Sequence, residues 1–348
     1  MRVRSVGRDE DLREDRVLRE EAARERKTGK AEAADEHRPR DDAPALHVTQ
    51  ARQPAQVELP REAVHDRAAR EEENGLEEGG SALNAVKAAI VILEDNVLFN
   101  AAKGSVFTKK GLQEMDAAVM DGSTLAAGAI TGVRNVRNPI ELAMEVMRNS
   151  NHVFLSGKGA GDYAIKQGIK LEPDEYFFSQ FRYDQWKAIR DSDNYSLDHT
   201  HQKLEELMKD KKFGTVGAVA CDQQGNIAAA TSTGGMTNKK YGRIGDSPMI
   251  GAGTYANNKT CGISCTGHGE MFIRTVAAHT VSCLMEFKGY TLQEACEEVV
   301  FKNLVEIGGE GGLIGVDNKG NHAMVFNSAG MYRAYRSSDG NTEVAIYS

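Results

Sequence analysis

The chain has 348 residues, with 43 Lys and Arg against 51 Asp and Glu and a formal net charge of −8. The two signs are interspersed, so no basic stripe marks a nucleic-acid surface, and no stretch approaches the ~18 apolar residues of a membrane span. An apolar fraction of 40% with 35 glycines suits a globular core threaded by tight loops.

The first 80 residues hold 16 Lys and Arg and 21 Asp and Glu, and the first aromatic residue is Phe99. So little apolar surface cannot offset chain entropy, and residues 1–78 read as a charged arm, disordered or loosely helical. The rest reads as one domain of about 270 residues. No signal-like apolar run opens the chain, and five cysteines, an odd number, read as reduced thiols. Together these place the protein in the cytoplasm.

Ser81 is the expected cap of a helix whose face is Leu83, Val86, Ile90 and Leu93. Residues 105–108 and 114–120 then read as strands. Asn138 and Pro139 open a second helix that runs toward Asn149. Residues 190–212 are almost all polar or charged, and they run into Thr215 and a stretch of small residues and β-formers. The run from Thr215 to Ala230 predicts a hairpin with its turn at Asp222 to Asn226. A similar pattern recurs from Ile314, predicting a hairpin over Leu313 to Phe326, and the likeness of the two places them in one sheet system. Between them, Arg274 to Phe287 reads as a helix stopped near Gly289, and Thr291 with Glu294 is a capping-box signature for another that reaches about Ile307.

The junction at Gly214 and Thr215 carries the chemistry. A threonine hydroxyl needs an adjacent base, and its own α-amine serves if the residue is the first of a chain. Such an amine titrates at about 7.7–8.0, close to neutral pH. Cleavage of the Gly214–Thr215 bond would therefore create a nucleophile, and Gly214 offers no side chain to obstruct attack. Glycine-dense loops with hydroxyls follow at residues 231–237, 242–248, 251–258 and 264–270, supplying donors for an oxyanion. Arg243 and Asp246, three apart, either clamp the carboxylate and ammonium of a free amino acid or form a surface ion pair worth about 0–1 kcal/mol. Cys261 and Cys265 have no second pair to complete a metal site and read as core residues. His199 and His201 read as solvated.

Gly214 to Val219, Thr231 to Gly235, Gly242 to Pro248, Tyr255 to Asn258 and Thr266 to Glu270, in that order, resemble the plant-type L-asparaginase/isoaspartyl peptidase family of N-terminal-nucleophile hydrolases. The resemblance runs from about Gly79 to about Arg336. It implies an α+β fold, an αββα four-layer sandwich, cut into an α part (residues 79–214, with a polar linker at about 190–213) and a β part (residues 215–348). Thr215 would be nucleophile and base, Thr233 its hydrogen-bond partner, and Thr266 with the Gly267 N–H the oxyanion hole. Arg243 would hold the substrate α-carboxylate, and Asp246 with Gly267 or Gly269 the α-ammonium. Asn100 would orient the nucleophile from the other subunit, and the implied assembly is a dimer of cleaved heterodimers. The implied substrates are L-asparagine and β-aspartyl dipeptides, with no catalytic metal or organic cofactor. Residues 93–103 resemble a loop that in some members holds a structural sodium ion.

Two departures accompany the resemblance. The family opens with a buried strand and a His-Gly-Gly loop, and no His-Gly-Gly precedes Gly79 here. At residue 102 the family usually has glycine, and this chain has Ala102; a left-handed backbone there would cost about 1 kcal/mol. The alternative reading is an uncleaved relative that binds a partner through its charged arm.

Overall fold

The computed structural model describes residues 61–77, 79–191 and 214–347. Residues 1–60 of the expected arm and residues 192–213 of the polar linker, with His199 and His201, lie outside them.

The end of the expected arm is a packed helix. In α1 (Arg61–Glu77), Val64 and Ala68 are buried one turn apart against the next helix, α2 (Ala82–Glu94). His65 sits on the same side, its ring edge-on to Phe99 at 4.9 Å and parallel to Tyr332 at 6.0 Å. Burial, then the nearby Arg61, lowers its pKa to about 4, so the ring is neutral at physiological pH. The charge count of the arm hid this narrow apolar stripe. Helix α2 starts as expected, with Ser81 Oγ accepting from the Asn84 N–H.

Ser105 to Thr108 is not a strand. A 3-10 turn (Ala102–Gly104) leads into one isolated bridge, between Phe107 and Gln113. The Gln113 side chain donates to the Ser105 carbonyl at 2.7 Å, taking an acceptor that a strand partner would need. Ala102 has φ 41° and is fully buried, so the alanine does carry the left-handed cost there.

The chain then builds β1 (Met115–Asp121), β2 (Ala127–Val133), α3 (Pro139–Asn149), β3 (Phe154–Ser156) and the helices α4 (Gly157–Lys166), α5 (Asp174–Phe177) and α6 (Gln180–Ile189). After the linker come β4 (Val216–Cys221) and β5 (Ile227–Thr233), followed by β6 (Thr254–Ala256) and β7 (Cys261–Gly267). Helices α7 (Gly269–Thr275), α8 (Ala277–Lys288) and α9 (Leu292–Glu297) precede β8 (Gly311–Asp317), β9 (His322–Phe326), β10 (Arg333–Arg336) and β11 (Thr342–Ala345). The helix expected over Arg274 to Phe287 thus begins earlier, at Gly269, and is broken at Val276, whose φ of 47° no α-helix admits. The capping box at Thr291 and Glu294 forms as expected, and α9 continues as a π-helix through Leu304.

The two hairpins do not share a sheet. β4 and β5 belong to a five-stranded sheet of order β3-β2-β1-β5-β4, whereas β8 and β9 belong to a four-stranded sheet of order β6-β7-β8-β9. Their likeness is local and lies in the turn. Asp222 Oδ1 accepts from the Gln224 and Asn226 N–H groups, and Asp317 Oδ1 from those of Lys319 and Asn321. Glycine takes the left-handed position in each, Gly225 at φ 76° and Gly320 at φ 79°.

The five-stranded sheet packs against α2 and α3, and its β4 and β5 also lie against β7 and β8 of the second sheet. β5 is therefore buried along its whole length, and its residues are small. Its side chains alternate: Ser232 turns to α2, where its hydroxyl donates to Glu94 Oε1 at 2.6 Å, while Thr231 turns to the second sheet and shares a 2.7 Å hydrogen bond with Ser264. Gly217 of β4 meets the same serine. A methyl group at Gly217 would come within 2.1 Å of Ser264 Oγ and 2.9 Å of its Cβ. Gly217→Ala should lower stability by about 1–3 kcal/mol through overpacking, read by urea denaturation.

Glu94 accepts from Ser232 and from the Ile140 N–H at the start of α3, tying two helices to β5. Burial raises its carboxyl to about 8, against the pull of those hydrogen bonds. The folded protein then holds a proton that the unfolded chain releases. The associated stability is complete below the ordinary carboxylate pKa and is lost as pH rises through about 8. Melting temperature should fall between about pH 5 and about pH 9 in the native protein and much less in Glu94→Gln; equal slopes would refute the assignment.

Candidate active site

Thr215 stands where β4 begins, on the side of the strand that faces the second sheet. Residues 216, 218 and 220 are buried toward the helices, while residues 217, 219 and 221 are half-buried on the opposite side. Thr215 Oγ1 donates to Thr233 Oγ1 at 3.1 Å. The Gly235 N–H donates to that same Thr233 oxygen at 3.0 Å, so the second threonine is fixed by the turn that follows it.

Asn100 reaches this turn through its side chain and its backbone. Its Nδ2 donates to the Gly235 carbonyl at 2.7 Å, and its backbone carbonyl accepts from the Gly234 N–H at 2.9 Å. Its Oδ1 accepts from the Val106 N–H at 3.1 Å. A side chain on Gly234 would strike Asn100 Oδ1 at 2.5 Å, which makes glycine obligatory there. The arrangement follows from the local fold, because the turn after α2 carries Asn100 directly beneath the end of β5.

Thr266 and Gly267 end β7. Thr215, Ser264 and Thr266 line one cavity of about 500 Å³, together with His65 and Tyr332. Thr266 Oγ1 is buried and has no hydrogen-bond partner among the described residues. Gly267 has φ 145°, and a Cβ there would lie 2.4 Å from the Glu310 carbonyl. Only glycine fits.

Arg243 and Asp246 lie in the loop between β5 and β6, and both approach Gly269. A Cβ built on Gly269 would lie 2.9 Å from Arg243 Nη2 and 2.9 Å from Asp246 Oδ1. Arg243 and Asp246 thus flank one buried glycine. The two do not pair with each other through hydrogen bonds. Arg243 is instead engaged by Glu270, with Nε on Oε1 and Nη2 on Oε2, each at 2.8 Å. Asp246 is buried with Oδ2 unpartnered among the described residues. Burial raises its carboxyl to about 7, while hydrogen bonding to its own backbone and the charge of Arg243 pull it down. Unpartnered buried atoms also occur at Glu94, Asp116 and Trp186, so at Asp246 and Thr266 they are unfilled hydrogen-bonding positions and do not by themselves identify a ligand site.

Glu270 was not among the residues that sequence reasoning singled out. It lies 27 residues from Arg243, and nothing in the spacing connects them. The usable signal was its place in the Thr266 to Glu270 segment. The described residues hold no group of three or more His, Cys, Asp or Glu arranged for a metal ion. Cys261 and Cys265 are buried in β7, and burial pushes the Cys261 thiol up to about 12.

The family model described as asparaginase matches residues 44–346, a span that begins well before Gly79. The isoaspartyl peptidase of Salmonella typhimurium is 51% identical over 272 residues, covering 78% of this chain and 86% of the relative. That of Escherichia coli is 50% identical over 272 residues, covering 78% and 84%. The isoaspartyl peptidase/L-asparaginase of Danio rerio is 42% identical over 256 residues, covering 74% and 79%. With nearly the whole described chain matched and half of the 272 aligned residues shared with each bacterial relative, the protein belongs to the asparaginase/isoaspartyl peptidase family of N-terminal-nucleophile hydrolases.

Proposed function

We propose that the chain cuts itself between Gly214 and Thr215 and then hydrolyses the β-amide of L-asparagine and the isopeptide bond of β-aspartyl dipeptides. The hydrogen bond from Thr215 to Thr233, with Thr215 and Thr266 lining one cavity, carries this reading.

In the precursor, Thr215 Oγ1 attacks the Gly214 carbonyl carbon. The peptide becomes an ester, the Thr215 nitrogen becomes a free amine, and water then cleaves the ester. The same hydroxyl next attacks the β-carbonyl of bound substrate, passing its proton to the new amine. Negative charge developing on the carbonyl oxygen is met by Thr266 Oγ1 and the Gly267 N–H, donors already in place before reaction. The amine returns the proton to the departing nitrogen, ammonia or an amino acid leaves, and a β-aspartyl ester remains on Thr215. Water resolves it to aspartate.

The head group selects the substrate. Arg243 receives the α-carboxylate and Asp246, with Gly267 or Gly269, the α-ammonium; an incoming ammonium would draw the Asp246 proton off and satisfy its unpartnered oxygen. Asn100 holds the turn against which Thr233 and the nucleophile are set. The layout fits an αββα sandwich, since helices α2 and α3 cover one sheet and α8 and α9 pack on the other. We further read residues 79–214 and 215–348 as the α and β parts of a cleaved heterodimer that pairs with a second copy in the cytoplasm. No helix among the described residues is long and apolar enough to cross a membrane.

Purified protein held at neutral pH should yield two fragments, the smaller beginning at Thr215. Thr215→Ala should remain one chain and release no ammonia from asparagine. A Thr215→Ala protein that still splits, or native protein that persists as a 37.9 kDa chain, would sink the self-cleavage step.

A further inference from the structure

Arg243 lies in a loop, between Gly242 and Ile244, with no helix or strand to hold its long side chain. A free arginine samples many rotamers, and a carboxylate ligand would have to overcome that entropy on binding. Glu270 removes that freedom in advance. It sits in the first turn of α7, two residues before the fully buried Phe272.

The geometry of the pair matters more than its strength. Glu270 grips the guanidinium from the side, through Nε and Nη2. That contact uses the Nε–H and one of the two Nη2 hydrogens. Nη1 and the second Nη2 hydrogen remain, and they form the other bidentate edge of the fork, the one suited to a second carboxylate. Nη2 borders Gly269, the same glycine that Asp246 Oδ1 borders. The contact therefore leaves a carboxylate-binding edge of Arg243, with Nη2 beside the buried Gly269 and the Asp246 carboxyl and Nη1 beside Gly245.

We propose that Glu270 is the positioning residue of the substrate clamp: it holds Arg243 by one edge so that the other edge receives the α-carboxylate. This rests on the reading of Arg243 given above. Burial raises the Glu270 carboxyl, yet its bonds to Arg243 outweigh that and keep it below the ordinary range, so it is the charged form that holds the arginine. The opposite role, a plug that substrate must displace, uses the same two residues and makes the opposite forecast for affinity.

The test uses the full-length, self-cleaved enzyme and its Glu270→Ala and Glu270→Gln variants. L-Aspartate binding is measured by calorimetry, and kcat and KM are measured for L-asparagine and for its α-carboxamide analogue. Glu270→Ala should weaken aspartate binding and raise KM for asparagine by about tenfold, the scale of one lost charge-assisted contact, with kcat much less affected. Glu270→Gln should fall between, and the α-carboxamide analogue, having no carboxylate to place, should show no such rise in KM. Binding by Glu270→Ala or Glu270→Gln that equals or exceeds that of the native enzyme would overturn the role of Glu270 alone. Failure of the native enzyme itself to bind aspartate or turn over asparagine would overturn the functional reading as well.

Discussion

The site depends on how closely β4 approaches β7. Gly217 faces Ser264 with no room for a methyl group, and Ser264 is held by Thr231, which in turn accepts from Thr254 at 2.6 Å. These hydroxyls satisfy one another inside the sheet interface, where an unpaired polar group would be costly. The closeness has a direct consequence. Thr215, two residues before Gly217, and Thr266, two residues after Ser264, come to line one cavity from different sheets. The proposed nucleophile and oxyanion donor are thus set by backbone layers, with no flexible loop between them.

Around that rigid pair, the structure leaves selected groups unsatisfied. Asp246 is buried with an unpartnered oxygen and a carboxyl raised to about 7, and Thr266 has a buried hydroxyl with no partner among the described residues. A buried polar group left unpaired costs about 1–3 kcal/mol. A substrate ammonium and a developing oxyanion would supply what these atoms lack. The preorganised donors gain most when charge appears on the reacting carbonyl, which is how a fixed site favours a transition state.

Much of this was legible in the sequence, for identifiable reasons. Ser81, the capping box at Thr291 and Glu294, and the Asp222 and Asp317 turns are short-range signals, decided by residues within four positions of one another. Thr215, Arg243 and Asp246 could be singled out by their chemistry, and Thr233 and Thr266 by the family resemblance. What sequence could not convey was long-range. The similar hairpins entered different sheets because strand partners are chosen by packing, and local pattern does not encode that choice. Val276 breaks a helix with nothing in its side chain to announce it. Glu270 could be connected to Arg243 only once the fold had brought α7 beside the loop. In α1, a count of charges obscured the two small apolar residues, Val64 and Ala68, that dock it.

The covalent step is the most exposed claim. Processed enzyme mixed with L-asparagine, quenched in acid within milliseconds to seconds and analysed by mass spectrometry, should show a transient β-aspartyl group on the fragment beginning at Thr215, mapped to that residue and absent in Thr215→Ala. Release of aspartate and ammonia at full rate with no adduct at any quench time, and with hydroxylamine trapping nothing, would contradict an acyl-enzyme and place water, not Thr215, as the attacking group.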